Sequence, residues 1–268
     1  MKCFLSRVLA ITLLLVSLSI PTFAKAPISL DNLSKVGIDA ISSEDSKILK
    51  SEIQNMTDKR FDSFITGYMK LETDRRVAKG KLNKLGVEVS FPQENLNNTQ
   101  SWSASDITLN TYSAKRVNDS YYRLFCEFTG DSSESKPATY DVLGLFFDTS
   151  KASYYGYNSS DTNYVWLKDS SQFSNGTILF NVDDSKFGFR TEDEWAVIYV
   201  TKKSGSTGWF VYGDKYVHTY NTTSTSTSGS ASVNFSGTGV SGSIGFSVNT
   251  STVESSWEKG DDNAINFS

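Results

Sequence analysis

Tyr121-Tyr122-Arg123-Leu124-Phe125-Cys126-Glu127-Phe128 is the most telling run in this chain. Tyr122, Leu124, Cys126 and Phe128 share one face of an extended strand, and Tyr121, Arg123, Phe125 and Glu127 share the other. That period of two predicts a β-strand with one apolar face. Cys126 falls on the apolar face and reads as a buried thiol.

The same signature recurs on both sides. Ile107 to Tyr112 alternates, and Val142 to Phe147 is a continuous apolar run short enough for a central strand. Tyr154 to Tyr157 and Tyr164 to Leu167 flank the turn-rich Asn158 to Asn163. Thr177 to Val182, Trp195 to Thr201, Trp209 to Tyr212, Lys215 to Tyr220, Ser232 to Phe235 and Val240 to Val248 continue the series. Crossover helices are missing between them. The expected fold is mainly β, an antiparallel β-sandwich or jelly roll over residues 91–268. The near-pure Ser/Thr stretch 222–230 reads as a linker or a polar edge strand.

Residues 25–90 read differently. Ser42 or Ser43 is a candidate N-cap followed by Glu44 and Asp45, where carboxylates suit the positive helix end. Phe61, Phe64, Ile65 and Tyr68 make one helical stripe, and basic residues crowd the end, with Gly80 and Gly86 as candidate stops. An α-helical segment is therefore expected to precede the sandwich.

Residues 1–24 carry Lys2 and Arg7, an apolar stretch from Val8 to Ile20, and Thr22-Phe23-Ala24. That is the layout of a signal peptide cleaved after Ala24. The mature product is expected to be secreted, soluble and bacterial. Cys3 would leave with the leader, and Cys126 alone then remains. No internal disulfide is expected, so the fold must rest on its core.

The 268 residues carry 26 Lys+Arg and 30 Asp+Glu, for a net charge of −4. Segment 25–90 holds 12 basic and 10 acidic side chains, and 91–268 holds 12 and 20. The acidic character belongs to the β-rich body, which excludes the basic footprint of a nucleic-acid binder. Mean hydropathy is −0.32, which excludes a multispan helical membrane protein.

Catalytic motifs are sparse. The single histidine, His218, shares a strand face with Tyr216 and Tyr220, and no nucleophile elbow accompanies it. Glu127 is the catalytic candidate, as a carboxylate in a cleft; the same position also suits an ion pair with Arg123 on a solvated face. Glu192, Asp193, Glu194 and Glu254 are its candidate partners. No metal site of the usual His or Cys type and no cofactor are expected; calcium at Asp183-Asp184 or Asp261-Asp262-Asn263 is the exception considered.

Tyr155, Tyr157, Trp166, Trp209, Tyr216 and His218 are the candidate ligand-binding residues, because rings with polar tips suit sugars as well as cores. Simple alternation puts Tyr155 and Tyr157 on one face. The leading functional expectation is an exported, non-catalytic binding or cell-surface protein for carbohydrate or cell envelope. A carboxylate-dependent glycoside hydrolase is the second expectation. The third is a membrane-active or pore-forming protein, from the dyad pattern of Ser232 to Val248.

Overall fold

The computed structural model describes residues 28–92, 107–130, 140–169, 172–184, 194–221, 232–235, 246–249 and 254–267. Residues 1–24, expected to be a leader, and the whole Ser/Thr-rich stretch 222–230 lie outside the described residues, as do Glu192, Asp193 and residues 236–245.

The helical segment is three helices: α1 (Ser43–Gln54), α2 (Asp58–Leu71) and α3 (Arg75–Lys84), after two 3-10 turns. Each helix starts on a side-chain cap. Ser42 Oγ accepts from Asp45 N at 3.0 Å, Thr57 Oγ1 from Arg60 N at 3.4 Å, and Asp74 Oδ1 from Arg76 N at 2.9 Å. Gly80 lies inside α3, whereas Gly86 takes a φ of +76° and turns the chain into β1 (Val87–Ser90).

The remaining strands are β2 (Ile107–Arg116), β3 (Tyr121–Gly130), β4 (Asp141–Phe147), β5 (Ala152–Ser159), β6 (Val165–Asp169), β7 (Thr177–Val182), β8 (Glu194–Lys202), β9 (Gly208–Asn221), β10 (Ser232–Phe235), β11 (Phe246–Asn249) and β12 (Glu254–Phe267). They form an antiparallel β-sandwich. One five-stranded sheet runs β1-β2-β3-β8-β5, the other β12-β9-β4-β7-β6, and β10-β11 is a separate pair. Trp209 to Tyr212 and Lys215 to Tyr220, which read as two strands, are one continuous β9.

The face holding Leu124, Cys126 and Phe128 packs against Leu143, Leu145, Phe180 and Tyr216 of the second sheet. On the other face of the first sheet, Tyr112, Phe125, Trp195, Val197 and Tyr199 pack against Leu49, Ile53, Phe61, Ile65 and Leu82 of the helices. The molecule is thus layered helix, sheet, sheet. Val248 of β11 packs on Val142, Phe146, Leu179 and Val217 on the far side of the second sheet. Strand β12 joins the two sheets along one side: Lys259 Nζ donates to Ile107 O at 2.5 Å, and Asn263 Nδ2 to Ser90 O at 3.3 Å.

Arg123 fastens the helices to the sheet. It is fully buried on the helix-facing side of β3. Its Nε donates to Asp62 Oδ1 at 2.9 Å and its Nη2 to Asp58 Oδ1 at 2.6 Å, and Nη1 pairs with Asp119. Asp62 Oδ2 also accepts from Asn158 Nδ2 at 2.9 Å and Tyr199 Oη at 2.5 Å. The guanidinium lies 4.5 Å from the Phe61 ring centroid and 4.8 Å from that of Tyr121. Each nitrogen of the planar fork therefore meets an acceptor, which makes a buried charge tolerable. The face expected to be solvated, with Arg123 pairing to Glu127, is instead roofed by helices, and Arg123 pairs with helix and turn aspartates.

Candidate functional site

Glu127 stands on the helix-facing side of the first sheet, where the helical roof ends. It is 6% exposed. A cleft of about 310 Å³ opens there, lined by Glu72 and Arg75 from the α2–α3 junction, Phe91, and Thr108, Asn110 and Glu127 from β2 and β3. Asn110 is opposite Glu127 in the β2–β3 register, and its Nδ2 donates to Glu127 Oε2 at 3.0 Å. Tyr112 Oη donates to Glu127 Oε1. Arg75 Nη2 donates to Asn110 Oδ1 at 3.2 Å, and its guanidinium lies 5.6 Å from the Phe91 ring centroid.

These contacts make a relay of alternating donors and acceptors beside one aromatic wall. Burial, reinforced by the Glu127 carboxylate, holds the Tyr112 phenol well above its ordinary range. Tyr112 therefore stays a neutral donor at any physiological pH. The second carboxylate in the cleft is Glu72, whose Oε2 is 2.6 Å from Lys81 Nζ. Lys81 also donates to Ser34 O at 3.1 Å, so this ion pair ties the α2–α3 junction to the first 3-10 turn. Of the partners read from sequence, Glu194 is buried, accepts from Ser160 Oγ, and sits opposite Phe128 on the inter-sheet face, away from Glu127. Glu254 is buried at the start of β12.

The aromatic candidates do not form one platform. Strand β5 carries a β-bulge between Tyr154 and Gly156. The extra residue resets the alternation. Tyr155, 60% exposed, stacks on Tyr121 on the helix side, with ring centroids 4.9 Å apart. Tyr157 instead pairs with Ile198 and meets Phe180 edge-on at 5.8 Å on the inter-sheet side. The shared face expected for Tyr155 and Tyr157 is therefore corrected: the bulge separates them.

Trp209 is 56% exposed on the outer face of the second sheet. Trp166 packs edge-on against Tyr140, with centroids 4.8 Å apart. Its row across the sheet runs through Asn181 and Val142 to Val217, eight residues from Trp209 along β9. At about 3.4 Å per residue, that is roughly 27 Å. Tyr216 is corrected as a ligand-facing residue: it is fully buried between the sheets and donates to Asp141 Oδ2 at 2.6 Å.

His218 is buried with it. Its Nδ1 lies 2.8 Å from Asp141 Oδ2 and 3.5 Å from Asp184 Oδ2. Asp141 also accepts from Thr219 N at 2.7 Å. Burial pushes the Asp141 carboxyl up, against the pull of His218, Tyr216 and Thr219. The polar lead residue of an otherwise apolar strand, Asp141 before Val142 to Phe147, was a signal in the sequence.

A second buried polar centre lies around Asp214. Thr111 Oγ1 donates to Asp214 Oδ2, Cys126 lies beside it, and Asp214 Oδ1 has no hydrogen-bond partner among the described residues. Burial pushes Asp214 up to about 7, with Asp261 adding to the rise. Burial also pushes Cys126 well up, so it is an unreactive thiol. Burial, with Asp261 beside it, raises Asp262 to about 6.

The class defined by these layers is an antiparallel β-sandwich with a helical roof. Neither protein-family models nor curated proteins give a match. Among solved structures, the chain is similar to the sixth cohesin of scaffoldin B from Acetivibrio cellulolyticus, crystallised with a dockerin. That likeness has a TM-score of 0.28 and 12% identity, over 41% of this chain and 86% of the other. A type I cohesin from Pseudobacteroides cellulosolvens gives 0.26 and 14%, over 37% and 69%. The collagen-binding domain of a Staphylococcus aureus adhesin gives 0.21 and 11%, over 37% and 76%.

Proposed function

We propose that the chain is an exported, non-catalytic binding protein whose ligand site is the cleft at Glu127, and that its ligand is a small polyhydroxylated group such as one or two sugar rings. The observation that carries this reading is the Arg75–Asn110–Glu127–Tyr112 relay beside Phe91. Hydroxyl groups both donate and accept, so they match a wall that alternates the two. The apolar side of a sugar ring matches an aromatic wall. The volume is at the low end for ligand pockets, which limits the ligand to a small unit or a chain end.

The second reading is a glycoside hydrolase, favoured by Glu127 and Glu72 lining one cleft. Against it, each carboxylate is already bonded to a protein donor, Glu127 to Asn110 and Tyr112 and Glu72 to Lys81. A general acid must be free to hand its proton to the leaving group. The pore-forming reading has less support, because Val248 of the β10–β11 pair packs on the second sheet. The test is a glycan array on the mature chain, followed by calorimetric titration of any hit against wild type and Asn110→Ala. Saturable binding weakened in the variant is expected. Absence of binding across the array overturns the carbohydrate reading, and release of reducing ends would move the assignment to hydrolysis.

A further inference from the structure

We propose that Asp141, Asp184 and His218 form a binding site for one divalent transition-metal ion of the zinc type. The three come from separate parts of the second sheet. Asp141 opens β4, Asp184 follows β7, and His218 lies on β9. Their ligand atoms all lie within 4.8 Å of one another, and all three side chains are buried. Strand alternation aims two of them into the same end of the inter-sheet space: Asp141 has the parity of Leu143 and Leu145, and His218 that of Tyr216, all inner-core residues. Asp184 lies two residues beyond the end of β7, and its Oδ2 is 3.5 Å from His218 Nδ1.

The distances favour a cation over a proton as the shared occupant. His218 Nδ1 approaches one oxygen of each aspartate, at 2.8 and 3.5 Å. A single ring proton donates along one line and serves one of those oxygens well. A metal ion is bound by nitrogen and oxygen at about 2.0–2.2 Å and serves all three ligands at once. Bound as ligands, two carboxylates and a neutral imidazole supply two negative charges, which a divalent ion balances.

The ligand types select the metal. An imidazole with two carboxylates suits zinc and its first-row neighbours, whereas calcium takes six to eight oxygens. This places Asp184 in a mixed nitrogen–oxygen site rather than a calcium turn with Asp183. Asp141 has the outer support that metal-ligating carboxylates require. Tyr216 Oη donates to its Oδ2 at 2.6 Å, and Thr219 N to its Oδ1 at 2.7 Å. Those contacts fix the carboxylate's orientation.

The experiment titrates chelator-treated mature chain with zinc chloride alone, calcium chloride alone and cobalt(II) chloride alone. Calorimetry, metal analysis after gel filtration and the cobalt visible spectrum are the readouts. One zinc per chain is expected, with a raised melting temperature and little response to calcium. His218→Gln and Asp184→Asn should each abolish stoichiometric uptake while keeping the wild-type far-UV spectrum, and Tyr216→Phe should weaken binding roughly tenfold. Failure of folded wild type to take up zinc or cobalt stoichiometrically overturns the proposal. So does uptake that is unchanged in a folded His218→Gln or Asp184→Asn. Should either variant not fold, wild-type stoichiometry and the cobalt spectrum still decide.

Discussion

Arg123 Nε on β3 lies 2.9 Å from Asp62 Oδ1 on α2, and neither side chain has solvent exposure. The pair joins the helical roof to the sandwich at one point. Burial pushes the Asp62 carboxyl up even though Asn158, Tyr199 and Arg123 all pull it down. A charge pair taken this far from water is costly to break, because the surviving partner is left stranded. Asp62→Ala or Arg123→Ala is expected to cost about 3–5 kcal/mol in urea unfolding. A loss under about 1 kcal/mol would mean that this pair does not hold the roof.

The roof is part of the core. Tyr112, Phe125, Trp195, Val197 and Tyr199 are covered by helical side chains. A chain beginning at Val87 would expose that face and leave Arg123 without Asp58 and Asp62. Such a truncation is expected to aggregate or to bind a hydrophobic dye strongly. Mass spectrometry of the protein recovered from its native source is expected to find the three helices retained. A stable, dye-silent truncation would show that they act as a removable segment.

Asp214 gives a pH signature. Its carboxyl is raised to about 7 in the fold, from 3.8. Between those values the folded state holds a proton that the unfolded chain has lost. This contribution to stability is therefore present below about pH 4 and is lost as pH rises through 7. Asp214→Asn keeps an acceptor for Thr111 and removes the titration. The variant is expected to gain on wild type between pH 5 and pH 8, by on the order of 2–4 kcal/mol. Melting temperatures at the two pH values measure this, and an identical difference at both would contradict it.

Exposed rings away from the cleft should matter little to its ligand. Tyr155 lies on Tyr121 at the edge of the roof, and Trp209 is on the outer face of the second sheet. Tyr155→Ala and Trp209→Ala are each expected to leave cleft affinity unchanged, while Asn110→Ala and Arg75→Ala lower it about tenfold or more. Titration of all four variants with one ligand separates the two sets. A large loss in Trp209→Ala would move the binding surface to the second sheet.

Alternation alone was enough to place β3, because Leu124, Cys126 and Phe128 do line the sandwich core. The helical stripe of Phe61, Ile65 and Tyr68 was equally legible, since period and burial coincide. What lies on the other side of β3 was not legible. Tyr121, Arg123, Phe125 and Glu127 read as a polar outer face, yet a roof of helices covers the first three and ends beside Glu127. A strand pattern does not say what packs on it. Tyr155 and Tyr157 parted because a bulge inserts one residue, and the lone Gly156 within the strand was its mark in the sequence. Asn110 joined Glu127, and Asp141 and Asp184 joined His218, through register and sheet order, which are long-range facts. One histidine among few catalytic motifs looked isolated in sequence; in space two buried aspartates flank it.

The most direct test of the binding cleft is amide and side-chain NMR of the mature chain titrated with the strongest glycan hit. The account expects saturable shifts centred on Arg75, Asn110, Thr108 and Glu127, with little change at Tyr155 or Trp209. Shifts centred on Trp209, or none at saturating ligand, would contradict it.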